Sequence, residues 1–81
     1  MADQDIFERI DVLVTEERAL RSHSDATLGL SPEDRSRLHE VEVQLDQCWD
    51  LLRQRRALVE FGEDPSAAKV RPADEVEGYR S

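Results

Sequence analysis

The apolar residues near the start of the chain recur at helical spacing. Ile6, Ile10, Leu13 and Leu20 follow one another at intervals of four, three and seven residues, which places them on one stripe of an α-helix. Turn-forming residues interrupt this period from Ser22 onward. The pattern therefore predicts a helix over about residues 5–22, followed by a loop over about residues 23–31.

A second, longer helix has clear start and stop signals. Ser31 can cap it, and Pro32 fits the first helical position because its φ is already set. Gly62, with Pro65 soon after, favours a stop near Phe61, so the predicted helix covers about residues 32–61. Its apolar residues form a seam at intervals of three and four residues, which a single arginine interrupts: Leu38, Val41, Leu45, Cys48, Leu52, Arg55 and Val59.

Two helices joined by a short polar loop favour an all-α fold, an antiparallel hairpin over residues 1–62. The apolar surface around Trp49 is broader than one narrow partner helix can cover. We therefore expect two hairpins to associate into a four-helix bundle, or a different protein to supply the missing surface. The residues predicted to pack in this assembly are Ile6, Ile10, Leu13, Leu20, Leu38, Val41, Leu45, Cys48, Trp49, Leu52 and Val59.

The remaining residues, 63–81, form a tail with two prolines and few apolar side chains, namely Val70, Val76 and Tyr79. Two arrangements fit this composition. Either the tail wraps over the helices as an extended arm, or it is disordered and becomes ordered on a partner.

Composition and charge narrow the choice of partners. The chain is 38% apolar and 37% charged, and its net charge is −8. A negative chain gains little affinity for nucleic acid or for anionic membranes, which repel it. Apolar runs are far shorter than the roughly 20 residues of a membrane span, and the acidic N-terminus differs from a signal peptide. With Cys48 as the sole cysteine, we expect a cytoplasmic protein from a reducing compartment.

Residues that could carry chemistry are few. His23, His39 and Cys48 lack the spacing of metal ligands. Cys48 lies on the apolar seam and is expected to be a small buried hydrophobe. We therefore predict no catalytic residue, no cofactor and no metal site.

One cluster of basic residues, Arg53, Arg55 and Arg56, lies close to Trp49. An aromatic ring beside arginines can form a stacking and phosphate-binding patch. Alternatively, nearby acids such as Glu60 neutralise the arginines at helical spacing. Because Arg55 lies on the seam, it can also set register or partner choice. We treat the three arginines as possible partner contacts.

The stretch LDQCWDLLRQRRAL at residues 45–58, together with GEDP at 62–65, VRP at 70–72 and VEGY at 76–79, resembles a family of short actinobacterial proteins known as domain of unknown function 2630. The resemblance covers nearly the whole chain. It implies a small, stand-alone cytoplasmic protein and carries no activity, cofactor or binding residue.

A weaker resemblance concerns the paired Leu51 and Leu52 followed by Arg55. This part of the chain is similar to the first helix of the all-helical chorismate mutases, in which such an arginine reaches the substrate carboxylate. The lysine further along that family's sequence and its third helix have no counterpart here.

Taken together, these patterns favour a non-catalytic protein–protein interaction or regulatory module that forms a homodimer. The alternatives are a nucleic-acid-associated accessory protein and a degenerate enzyme resembling the chorismate mutases.

Overall fold

Two long helices make up most of the fold in a computed structural model, which describes residues 2–27 and 29–76. Helix α1 spans Asp3–Thr27 and helix α2 spans Pro32–Glu60. A 3₁₀ turn at Pro65–Ala67 and a short helix α3 at Ala73–Val76 follow. The described ranges contain no strand, and the predicted all-α class is confirmed.

The first helix is longer than the sequence predicts. It continues through the turn-forming residues after Ser22 and ends at Thr27, so the predicted loop over residues 23–31 is too long. The N–H of Gly29 donates to the carbonyl of Ser24 at 2.9 Å, and Gly29 has a φ of 147°. The left-handed half of backbone space favours glycine. The glycine therefore ends this helix, and the serines before it do not.

The second helix begins and ends close to its predicted limits. The Ser31 hydroxyl accepts from the N–H of Asp34 at 3.1 Å, and Pro32 takes the first helical position. At the other end, Gly62 has a φ of 73° and the N–H of Glu63 donates to the carbonyl of Leu58 at 2.8 Å. Both ends are therefore fixed by capping contacts between residues close in sequence, which the sequence predicts.

A single apolar core lies between α1 and α2. Leu20 and Leu52 pack at its edge, and Leu38 is half-buried. The buried members come from one stripe on each helix: Ile6, Ile10, Leu13, Val41, Leu45, Cys48 and Leu51.

Two residues predicted to pack in the four-helix assembly lie outside the core of the single chain. Trp49 is 48% exposed and Val59 is 60% exposed, whereas Leu51, which is not among the predicted packing residues, is buried. Because Arg55 contacts Asp3 at the very start of α1, α1 has no residue left to cover Val59. Trp49 projects from a flank of α2 that neither α1 nor the described tail covers.

Polar pairs at the edges of the core hold α1 beside α2. The guanidinium of Arg37 donates to both carboxylate oxygens of Glu16, Arg21 lies 3.3 Å from the carboxylate of Glu42, and Arg55 meets Asp3. The hydrogen bonds from Arg37 hold the pKa of Glu16 below its ordinary value of 4.5, against the opposing effect of desolvation.

The tail is held against α2 by a cluster around Asp50, which is fully buried. The guanidinium of Arg71 forms an ion pair with Asp50 and donates to both of its oxygens. Gln54 binds the backbone of Lys69 twice, donating to the carbonyl at 2.7 Å and accepting from the N–H at 3.2 Å. Gln47 donates to the carbonyl of Arg71 at 3.1 Å. We call these five residues the clasp.

Beyond the clasp, Val76 of α3 is fully buried. Residues 63–76 therefore follow α2 as an arm with two short helical turns, closer to the extended arrangement expected from the sequence than to the disordered one. Tyr79, the last apolar residue of the predicted tail, lies outside the described residues.

The first prediction concerns acid sensitivity. Because the folded-state pKa of Glu16 is lowered, the pair with Arg37 stabilises the fold above about pH 4.5, and this contribution is lost as the pH falls through the lowered pKa. Urea unfolding of Glu16→Gln, followed by circular dichroism, should therefore show the largest deficit at neutral pH. That deficit should shrink as the pH falls below about 4.5. A deficit independent of pH would contradict the assignment.

The second prediction concerns the clasp. In Arg71→Gln the carboxylate of Asp50 stays buried without its cation, and we expect a loss of about 1–3 kcal/mol in the free energy of unfolding. Trypsin should also cleave faster after Lys69, because the tail loosens. The matched control is Arg56→Gln, whose 84% exposed side chain contributes within about 0.5 kcal/mol. Adding Asp50→Asn to Arg71→Gln should recover part of the loss; equal effects of Arg71→Gln and Arg56→Gln would refute this role.

Candidate functional site

One flank of the helix pair presents an uncovered apolar surface. Phe7 of α1 is 48% exposed, and Trp49 and Val59 of α2 remain similarly accessible. Leu52, at the edge of the core, joins these residues, and together they border an open groove of about 550 Å³ and an adjoining depression. We call Phe7, Trp49, Leu52 and Val59 the apolar face. Large exposed apolar patches on small proteins mark interaction sites.

The three arginines predicted as partner contacts occupy different environments. Arg55 is only 13% exposed; it pairs with Asp3 and donates to the carbonyl of Pro65 at 3.2 Å. Arg56 is exposed and lies 3.5 Å from Glu60, one turn away. Arg53 borders a shallow depression of about 270 Å³ beside Trp49. Arg53 and Arg56 therefore rim the apolar face, while Arg55 ties the start of α1 and the tail to α2.

The surroundings of Arg55 bear on the resemblance to the chorismate mutases. That resemblance implies an arginine open to a substrate carboxylate. Here the guanidinium already meets the carboxylate of Asp3 and a backbone carbonyl. The carboxylate of Asp3 therefore occupies the guanidinium of Arg55, to which the resemblance implies that a substrate carboxylate binds.

A second groove, of about 380 Å³, lies where α1, α2 and the tail meet. Val70 of the tail forms one wall. Sequence reasoning missed this groove because the wall depends on the clasp, which joins residues 21 positions apart. We call it the tail groove, and its lining consists of Asp5, Ile6, Arg9, Gln44, Gln47, Cys48, Leu51 and Val70.

Cys48 lies at the floor of the tail groove and is 8% exposed. Burial raises the pKa of its thiol, although the nearby charge of Arg9 acts in the opposite direction. The raised pKa keeps the thiol protonated at neutral pH and therefore a poor nucleophile. The described residues that line the groove include no histidine. This environment is that of a small buried hydrophobe.

The side chains that could ligate a metal ion include those of His23, His39 and Cys48. His23 lies 3.6 Å from a carboxylate oxygen of Asp34 in α2. Within residues 2–27 and 29–76, no group of three His, Cys, Asp or Glu side chains has the geometry to hold a metal ion. Across the same ranges, no helix combines the length and hydropathy needed to cross a bilayer.

Comparison with known proteins places the chain among relatives whose roles are not established. The model of a family described as "Protein of unknown function (DUF2630)" matches residues 2–81. An uncharacterised protein of Mycobacterium bovis and one of Mycobacterium tuberculosis strain H37Rv are each 51% identical to it over 77 residues. That alignment covers 95% of this chain and 88% of each relative. No solved structure matches the chain. The extent of the family match and the identity to these mycobacterial proteins show that the chain belongs to the DUF2630 family.

Proposed function

We propose that this protein is a non-catalytic protein–protein interaction module whose two long helices form an antiparallel hairpin. Its partner in this proposal is a second copy of the chain, and the two hairpins associate into a four-helix bundle. The observation that carries the proposal is the apolar face, where Trp49 exposes 48% of its surface.

The antiparallel arrangement is supported by the order of the polar pairs. Asp3, near the start of α1, meets Arg55 near the end of α2. Glu16, further along α1, meets Arg37 near the start of α2. The short connection between Thr27 and Pro32 is of the length that joins neighbouring antiparallel helices.

A second copy fits the apolar face better than an unrelated surface because the charges on α1 of one copy are complementary to those on α2 of the other. Residues 3–14 of α1 include four acidic residues and one arginine. Residues 49–60 of α2 include two acidic residues and three arginines, of which Arg55 already pairs with Asp3 of the same copy. A two-fold axis parallel to the helices sets α1 of one copy opposite α2 of the other. In that arrangement the acidic half of each α1 faces the arginine-bearing half of the opposite α2.

The same charges weigh against nucleic acid as the partner. The exposed Arg56 lies close to Glu60, and the net charge of −8 opposes binding to phosphate groups overall. The buried, protonated thiol of Cys48 likewise supports a non-catalytic role. A chain with a single free cysteine fits a reducing compartment, so we further propose a cytoplasmic location.

The third prediction tests self-association. Sedimentation equilibrium at low micromolar concentration should give a dimer for the full chain. Trp49→Glu should weaken the dimer by at least about 30-fold, which corresponds to the roughly 2 kcal/mol typical of an interface hot spot. Because Trp49 lies outside the core, the helicity of the variant should be retained.

The matched control is Val12→Glu, which places the same charge at a residue of α1 that is 57% exposed and outside the apolar face. Its dimerisation should equal that of the unmodified chain. A monomeric unmodified chain, or equal weakening by Trp49→Glu and Val12→Glu, would overturn the proposal.

A further inference from the structure

The tail groove has an apolar floor and a polar rim. Ile6, Cys48 and Leu51 are each no more than 8% exposed and form its floor. Val70, which is 58% exposed, stands at one side. Its volume of about 380 Å³ falls within the range of small-molecule pockets, about 300–1,000 Å³. An apolar object of modest size can therefore lie against this floor.

The wall of the tail groove is fixed in place before anything binds. Val70 lies between Lys69 and Arg71, and both of these neighbours are bound to α2. Gln54 holds the backbone of Lys69 through hydrogen bonds of 2.7 and 3.2 Å, and Asp50 holds the guanidinium of Arg71. A wall held on both sides does not need to be ordered by a ligand, which lowers the cost of binding.

The rim supplies a cation, Arg9, whose guanidinium donates to the amide oxygen of Gln44 at 2.6 Å. Among the described residues, Arg9 forms no ion pair, whereas Arg37, Arg55 and Arg56 each lie beside a carboxylate. Asp5 also reaches the rim, but its carboxylate accepts from the N–H of Ala2 at 2.9 Å. The flat guanidinium of Arg9 is suited to a bidentate carboxylate partner.

We propose that the tail groove binds a small amphipathic carboxylate. Its carboxylate group pairs with Arg9 beside the amide of Gln44, and its hydrocarbon part lies on Ile6 and Leu51 against Val70. The groove bordered by Phe7 and Val59 is larger, but its arginines already pair with Asp3 and Glu60. The two grooves share no lining residue, so this site goes beyond the proposed interaction role and is independent of dimerisation.

The fourth prediction uses decanoate as the probe and the full ¹⁵N-labelled chain as the target. Titration should give saturable amide shifts at Ile6, Leu51 and Val70, and bound decanoate should slow the reaction of Cys48 with a disulfide reagent. Decylammonium, which has the same hydrocarbon chain and the opposite charge, should not bind. Arg9→Gln should weaken decanoate binding by at least about 10-fold, as expected for the loss of a charge-assisted bond.

The matched control is Arg18→Gln, which removes an exposed arginine from α1 outside the tail groove; it should bind decanoate like the unmodified chain. Absence of saturable binding would overturn the proposal. So would equal affinity of Arg9→Gln and the unmodified chain, or shifts confined to the apolar face around Trp49. Because Trp49→Glu leaves the tail groove intact, retained decanoate binding by that variant separates failure of this site from failure of the dimer.

Discussion

Two packed helices can bury only one stripe of side chains on each, and this limit shapes the rest of the structure. Among the described residues, the core between α1 and α2 holds seven buried side chains. This is a small core, and domains of this size are already marginal in stability. Every further apolar residue on α2 therefore needs a layer other than α1. The tail supplies such a layer on one flank, where Val70 lines the tail groove beside Leu51 and Val76 is buried. The opposite flank, which contains Trp49, has no corresponding layer within the described residues.

The tail is held in position by the buried carboxylate of Asp50, and burying a charge is unfavourable in free energy. A fully buried carboxylate must be both paired and hydrogen-bonded, and Asp50 meets these conditions through Arg71 and Gln54, whose amide donates to it at 2.7 Å. Apolar contacts alone would let a short, irregular segment slide along a helix. A carboxylate at one fixed position selects one register, and the two hydrogen bonds between Gln54 and Lys69 reinforce it. The clasp therefore fixes Val70 where the tail groove needs a wall.

The sequence predicts the parts of this fold that depend on local contacts and misses those that depend on distant ones. Ser31, Pro32 and Gly62 act within a few residues of themselves, so the limits of α2 are predictable. The end of α1 is less predictable, because Ser22 and Ser24, which favour turns in isolation, lie within a helix that continues to Thr27. Asp50 reads in the sequence as an ordinary solvated residue of α2; its burial requires Arg71, 21 positions later. For the same reason Leu51 could not be distinguished from Trp49 as a core residue until the tail was placed.

The surroundings of each arginine indicate whether it has a structural role or borders a candidate binding surface. Arg55 and Arg71 each hold a carboxylate that fixes one element on another, so they are committed to the fold. Arg53 and Arg56 border an apolar surface, where a charged rim favours one orientation of a partner over others. Arg9 borders an apolar groove and, among the described residues, forms no ion pair, although Asp5 lines the same groove. On a chain whose net charge is −8, most of the described arginines pair with an acid of the same chain. Arg9 instead hydrogen-bonds a neutral amide at the mouth of the tail groove, which favours an acid that comes from outside.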